Sequence, residues 1–296
     1  MSQALQNPTL FIWLLGGFRV QVGERVLAPG EIRLRAAQQI IKLLALAPGY
    51  RLHREQVLAA IWPDQEPRAA INSLNQALHS ARRAIAPGDD ARGQFLILRD
   101  QQLRLGEPEQ LWVDALAFED AARRAQQQDV AAALAALDRY TGDLLPDDPY
   151  ELWLDMRRTA LRQAYRALVL GTAARAEQPA DVERVRSAIH QALAGDPADE
   201  ELHRAAMRLA ARVGERQAAL GQYALLERAL RHELQLEPDA SSQQLYRDIL
   251  AGRVAPLAAA GQAPDVLLAP LPMPLTRFIG RTRELAEVRQ LLHSTR

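Results

Sequence analysis

Residues 67–86, PRAAINSLNQALHSARRAIA, carry two opposed stripes at helical spacing. Ile71, Leu74, Leu78, Ala81 and Ile85 step by three and four along one side, and Arg68, Asn72, Asn75, His79 and Arg82 along the other. Such a segment is a helix laid on a core by its first stripe with the second turned outward. The outward stripe mixes amides with arginines and contains no acid. That suits the floor of a DNA major groove, where Asn and Gln bond adenine edges in pairs and Arg does the same to guanine. A solvated face that happens to lack acids has the same composition, so the flanking segments have to decide between the two.

On the N-terminal side, Leu10 to Val22 is rich in β-branched and aromatic residues, and a Gly23-Glu24 turn leads to Arg25-Val26-Leu27. This predicts a small antiparallel sheet of two or three strands. Ala37, Ile40, Ile41 and Leu44 then recur at helical spacing over 33–46, Pro48-Gly49 stops that helix, and a second runs from about His53 to Trp62. On the C-terminal side, a loop with Pro87-Gly88-Asp89-Asp90 precedes Phe95 to Leu98, a polar turn over 99–102, and Leu103-Arg104-Leu105, a hairpin pattern. Sheet, three helices and hairpin is the order of a winged helix, with the second and third helices as the helix-turn-helix and the hairpin as the wing.

Beyond Asp114 no strand signal appears for about 140 residues. Ala-rich helices are expected near 114–127, 129–140, 149–177, 181–194, 198–213, 215–233 and 241–251, broken at Gly142, Pro146, Pro179, Gly195-Asp196-Pro197, Gly214 and Pro238. Gly214, Ala219-Leu220 and Tyr223 follow a tetratricopeptide-like pattern of glycine, small residue and aromatic where paired helices meet. Stacked helix pairs offer a concave surface to a partner and little chemistry. Five prolines between Arg253 and Pro274 mark a linker, and Leu275 to Arg296 reads as the opening of a further domain.

Charge and composition narrow the function. The net charge is zero, but residues 11–86 hold ten basic and five acidic side chains, a local excess compatible with a nucleic-acid surface. Thirty-five of the 36 basic residues are arginine, Lys42 being the exception; a bias that pervades every segment is compositional, not functional. With no cysteine there are no disulfides or thiolate metal sites, and with no signal peptide or membrane span in view a cytoplasmic protein is expected. The six histidines show no metal-ligand spacing, and GxSxG, GxGxxG and phosphate-loop motifs are absent, so no enzyme activity, metal or cofactor is expected. Glu200, Glu201 and His203 read as a solvated helix face, Trp62 and Trp153 as core, and Gly16-Gly17 as a bend.

Leu43-Leu44, Pro48-Gly49, Leu52-His53-Arg54-Glu55-Gln56-Val57-Leu58 and Ile61-Trp62-Pro63-Asp64 resemble the response-regulator type of winged helix. Ala77-Leu78 to Arg82-Arg83 is similar to the recognition helix of its bacterial transcriptional activator branch, the antibiotic-regulatory-protein type. Asp114-Ala115-Leu116-Ala117-Phe118-Glu119, Tyr140 to Asp147, Trp153 and Arg157, and Asp196-Pro197 to Tyr223 resemble the helical activator domain that follows in that family. The resemblance spans roughly 10–252, with one departure: the second helix there opens on Ser or Thr, which caps it, and here on His53, whose ring can accept a bond in its neutral form or face a phosphate. Pro274-Leu275-Thr276 to Arg283-Glu284-Leu285 is similar to the lead-in of signal-transduction ATPases, without the phosphate loop.

The fold expected is therefore mainly α with a small β component, a winged helix-turn-helix followed by an all-α tetratricopeptide-like helical domain. The boundaries are a tail over 1–9, the winged helix over 10–113, the helical domain over 114–252, a linker over 253–275 and the ATPase-like start over 276–296. The expected function is that of a sequence-specific DNA-binding transcriptional regulator, an activator, with helix 67–86 in the major groove: Asn72, Asn75, Gln76 and His79 face bases, Arg68, Arg82 and Arg83 hold phosphates or a guanine, and Arg54 with the wing residues Arg99 and Arg104 clamps the backbone. The resemblance implies double-stranded DNA with direct repeats, self-association and RNA polymerase as partners, and no membrane. The competing reading is a helical-repeat adaptor whose winged helix does not read DNA.

Overall fold

In the computed structural model, residues 9–28, 30–85, 95–125 and 129–256 are described, all within one compact unit over 1–257. The expected loop at 87–90, residues 1–8 of the tail, most of the linker and the ATPase-like start lie outside them. The fold is mainly helical with two small sheets, a winged helix joined to a helical domain.

Strands β1 (Leu10–Trp13), β2 (Arg19–Val22) and β3 (Arg25–Val26) form the expected antiparallel set. Leu10 and Ile12 are buried while Phe11 and Trp13 alternate outward, the period of a sheet with one face on a core. Helices α1 (Arg35–Leu46), α2 (Arg54–Ile61) and α3 (Pro67–Ile85) follow, separated by the short strand β4 (Arg51–His53) after α1. The hairpin is β5 (Leu96–Arg99) and β6 (Gln102–Leu105), and a further strand, β7 (Leu111–Val113), closes this half.

Two strands were not legible in the sequence. β7 pairs in parallel with β1, Leu10 opposite Leu111, so the first sheet has the order β3-β2-β1-β7. β4 pairs with β6, His53 opposite Gln102, giving a second sheet of order β4-β6-β5. The wing is thus fused to the start of α2, and the Arg54 N–H donates to the Gln101 carbonyl at 2.7 Å.

The hairpin turn sets Asp100 and Gln101 at φ of 49° and 62°, the left-handed pair of a two-residue type I′ turn. Gln101 pays a steric cost there that glycine avoids. Replacing Asp100-Gln101 by Asn-Gly is expected to raise stability by about 1 kcal/mol in a urea melt without changing the far-UV spectrum.

The helical half comprises α4 (Asp114–Ala125), α5 (Val130–Leu137), α6 (Leu152–Arg175), α7 (Pro179–Gly195), α8 (Glu200–Arg212), α9 (Arg216–Glu233) and α10 (Ala240–Leu250). α6 starts three residues later than its pattern suggests because Pro149 and Tyr150 belong to a strap over 141–151 that returns to the winged helix. Thr141 Oγ1 donates to the Leu15 carbonyl at 2.8 Å, and the Gly16 N–H and Leu145 N–H bond the Asp143 and Leu14 carbonyls, both at 2.8 Å. A Cβ at Gly142 would stand 2.9 Å from Gly16 Cα, and Gly16 sits at φ +76°, so this backbone crossing requires glycine on both sides. Gly16 is therefore the bend the sequence suggests, with a packing reason. Arg158, buried on α6, holds the strap by donating to the carbonyls of Leu144 (2.9 Å), Leu145 (3.1 Å) and Asp148 (2.7 Å).

One continuous cluster of buried side chains runs from Leu10 to Leu209, crossing from the winged helix into the helical half. A smaller one joins Met207, Ala210, Ala219, Leu245 and Ile249, with Tyr223 and Tyr246 stacked at 4.4 Å beside it. The solvated-face reading holds for the exposed Glu201 and needs correction for Glu200 and His203. His203 is buried, its ring bonded to the Pro197 carbonyl at 3.0 Å and the Gln222 amide at 2.8 Å, and Glu200 accepts from the Asp239 N–H and Ser242 Oγ. Trp62 and Trp153 are half-buried against the core edge.

Candidate nucleic-acid interface

The outward helix is built to be rigid. Glu66 precedes it and its carboxylate accepts from the Arg68 N–H at 3.0 Å and the Ala69 N–H at 3.2 Å, while Pro67 fills the first position, where no N–H is needed. Ala70, Leu74, Ala77, Leu78, Ala81, Ala84 and Ile85 are buried, and α3 packs on α1 with this face. Ile71 is half-buried at the margin.

The opposite face presents Arg68, Asn72, Asn75, Gln76, His79 and Arg83, all exposed. Among the described residues none of these side chains makes a hydrogen bond or ion pair with another. From Arg68 to Arg83 the stripe runs about four turns, roughly 22 Å, with every donor and acceptor open to a ligand. Arg82 departs from it: it is half-buried and donates from Nε to the Leu96 carbonyl at 2.8 Å. The stripe therefore ends on Arg83.

At the start of α2, His53 does the work of the missing hydroxyl. Its Nδ1 accepts from the Glu55 N–H at 3.4 Å, and Gln56 Oε1 accepts from the His53 N–H at 2.9 Å, a reciprocal cap. Arg54 is half-buried, with Nε enclosed and without a hydrogen-bond partner among the described residues. Replacing His53 by alanine is expected to lower stability by about 1 kcal/mol, and by serine to preserve it, in thermal melts.

The two wing arginines differ. Arg99 is 86% exposed beside the hairpin turn, 3.7 Å from an equally exposed Asp100, a contact that solvent screens. Arg104 lies in the body of β6 and is held by both oxygens of Glu107, at 2.9 and 2.6 Å, so its charge is already matched. Directly across from it stands Arg51, exposed on β4 and overlooked in the sequence. Facing residues on one sheet surface lie about 5 Å apart, so two arginines there repel unless an anion intervenes. Glu107 supplies that anion for Arg104, and among the described residues none is supplied for Arg51. The one available signal was the polar-apolar-polar alternation of Arg51-Leu52-His53.

No group of three or more metal-ligating side chains occurs among the described residues, and no described helix is long and apolar enough to cross a membrane. The surface can make hydrogen bonds and bind anions.

Residues 113–250 match the family model of the bacterial transcriptional activator domain. A solved structure of Mycobacterium tuberculosis EmbR in complex with a low-affinity phosphopeptide is similar over 84% of this chain and 66% of that one, with a TM-score of 0.62 and 19% sequence identity. This chain thus spans slightly under two thirds of that protein, and the likeness is one of fold. No curated protein sequence matches the chain.

Proposed function

We propose that this chain, in which a bacterial transcriptional activator domain follows a winged helix, is a sequence-specific DNA-binding transcriptional regulator. The observation that carries the reading is the exposed, acid-free stripe from Arg68 to Arg83, unpaired among the described residues, on a helix fixed at its N-terminus and buried along its other face. Asn72, Asn75, Gln76 and His79 meet base edges in the major groove. Arg68 and Arg83 hold phosphates or a guanine at its two ends, and Arg54, Arg99 and, as an addition, Arg51 bind the backbone beside it. Arg104 contributes only if DNA displaces Glu107.

The helical domain then mediates self-association or contact with RNA polymerase, and tandem copies occupy direct repeats spaced by roughly 10 to 11 base pairs in the cytoplasm. The test is selection from random duplexes by the full chain at two salt concentrations, with sequencing of the retained pool. A repeated motif is expected. Asn75→Ala should relax preference at one position, costing about 1–3 kcal/mol of discrimination, whereas Arg83→Ala should weaken all sequences alike and reduce the salt slope by about 0.9. An unchanged motif and affinity with Asn75→Ala would show that this register is wrong. Absence of retention at either salt concentration would favour the adaptor reading.

A further inference from the structure

The adjacent arginines Arg82 and Arg83 have the same chemistry and different surroundings. Arg83 is exposed and unpaired among the described residues; Arg82 leans from α3 onto the wing. Its target is a particular carbonyl. In the second sheet β5 is the edge strand, paired among the described residues with β6 alone. The Phe95 carbonyl points toward β6 and accepts the Gly106 N–H at 2.7 Å, so by alternation the next carbonyl, that of Leu96, points away from β6 to the free edge. Leu96 is itself 1% exposed, so its carbonyl would be an orphan acceptor in an apolar setting without the Arg82 Nε–H.

We infer that Arg82 is a positioning residue: it acts on DNA binding through the wing, by holding β5 against the C-terminal half of α3, and does not contact phosphate. The inference rests on the DNA-binding reading above. The wing is then held against the helix pair at two points, on α3 by the Arg82 Nε–H to Leu96 and at the start of α2 by the Arg54 N–H to Gln101. Arg99, at the exposed end of β5, is the group whose aim depends on that hold.

Side-chain geometry supplies a discriminating set of variants. Gln carries an N–H donor, Nε2, at the same number of bonds from Cα as Arg Nε, so Arg82→Gln keeps the bond to Leu96 and removes the charge. Arg82→Lys keeps the charge and moves the donor one bond outward, and Arg82→Met removes both. With the full chain and its selected duplex, Arg82→Gln is expected to bind within about twofold of wild type with an unchanged salt slope. Arg82→Met should bind about tenfold more weakly, and Arg82→Lys less well than Arg82→Gln. Arg99→Ala should weaken the wild type but add little in the Arg82→Met background, since a misplaced wing no longer delivers Arg99.

The opposite order overturns the inference: Arg82→Lys near wild type, Arg82→Gln and Arg82→Met equally impaired with the salt slope reduced by about 0.9, and Arg99→Ala additive with each. That pattern would leave the DNA-binding reading intact. Failure of the wild-type chain to bind any duplex in a salt-dependent way would instead overturn both.

Discussion

Asp114→Ala is expected to destabilise the fold by about 3–5 kcal/mol in urea denaturation, more than any change on the outward face of α3. The Asp114 carboxylate is buried at the junction of β7 and α4 and accepts three backbone N–H groups, from Leu14 at 2.8 Å, Leu15 at 3.0 Å and Ala115 at 2.7 Å. Leu14 and Leu15 lie where β1 ends and the chain bends at Gly16, so their amides have left the ladder with β2. Truncation leaves those donors buried without an acceptor at about 1–3 kcal/mol each, partly relieved if water enters. Asp114→Asn keeps one acceptor and turns an amide donor toward an N–H, so a smaller loss of about 2 kcal/mol is expected.

The same site sets a pH dependence. Burial holds the Asp114 carboxyl above its ordinary value of 3.8, and it outweighs the lowering by the three N–H groups and by Arg19. A raised folded value means that the folded state binds the proton more tightly than the unfolded chain. Its contribution to stability is full below the ordinary value and is lost as pH rises through the raised one. The advantage of wild type over Asp114→Asn, which does not titrate, should therefore shrink as pH rises across that interval. A constant difference would show that the carboxyl is not shifted.

The sequence disclosed those elements whose signal is carried within the element itself. The spacing of Ala37, Ile40, Ile41 and Leu44, and the twin stripes of α3, are local consequences of helical period and needed no partner to be read. β4 and β7 are three residues each, too short for alternation to declare itself, and become strands only because Leu103 and Leu10 stand across from them. The roles of neighbouring charges were illegible for the same reason. Arg82 and Arg83 are separated by one helical step, and only the position of the Leu96 carbonyl distinguishes them. Likewise His203 differs from a solvated histidine only through Pro197 and Gln222, and Arg158, unremarked beside Arg157, owes its burial to carbonyls ten to fourteen residues earlier. The exposed amides of α3 were legible as exposed because an apolar stripe fixes its own opposite; what they bind depends on a surface the chain does not contain.

Lys42→Met is expected to cost about 3–5 kcal/mol, and Lys42→Met combined with Asp148→Leu to recover most of that loss. Lys42 Nζ lies 2.6 Å from Asp148 Oδ2, with side chains only 5% and 10% exposed, and 4.5 Å from the centre of the Phe18 ring. The pair joins α1 of the winged helix to the strap that the helical half sends back, beside Gln39 and Arg35, which both bond Glu151. Removing the lysine leaves a carboxylate in an apolar junction without a counter-charge, whereas removing both charges leaves a junction that apolar side chains can fill. The pair is thus weak as a source of net stability and strong as a condition on how the halves meet, since any other docking separates two buried charges. If the single variant is lost at the junction, its urea transition should broaden or divide as the winged helix and helical half uncouple, and the double variant should restore one sharp transition. Equal stability of the two variants would mean that water reaches Asp148 and that the junction is held by the strap's backbone bonds alone.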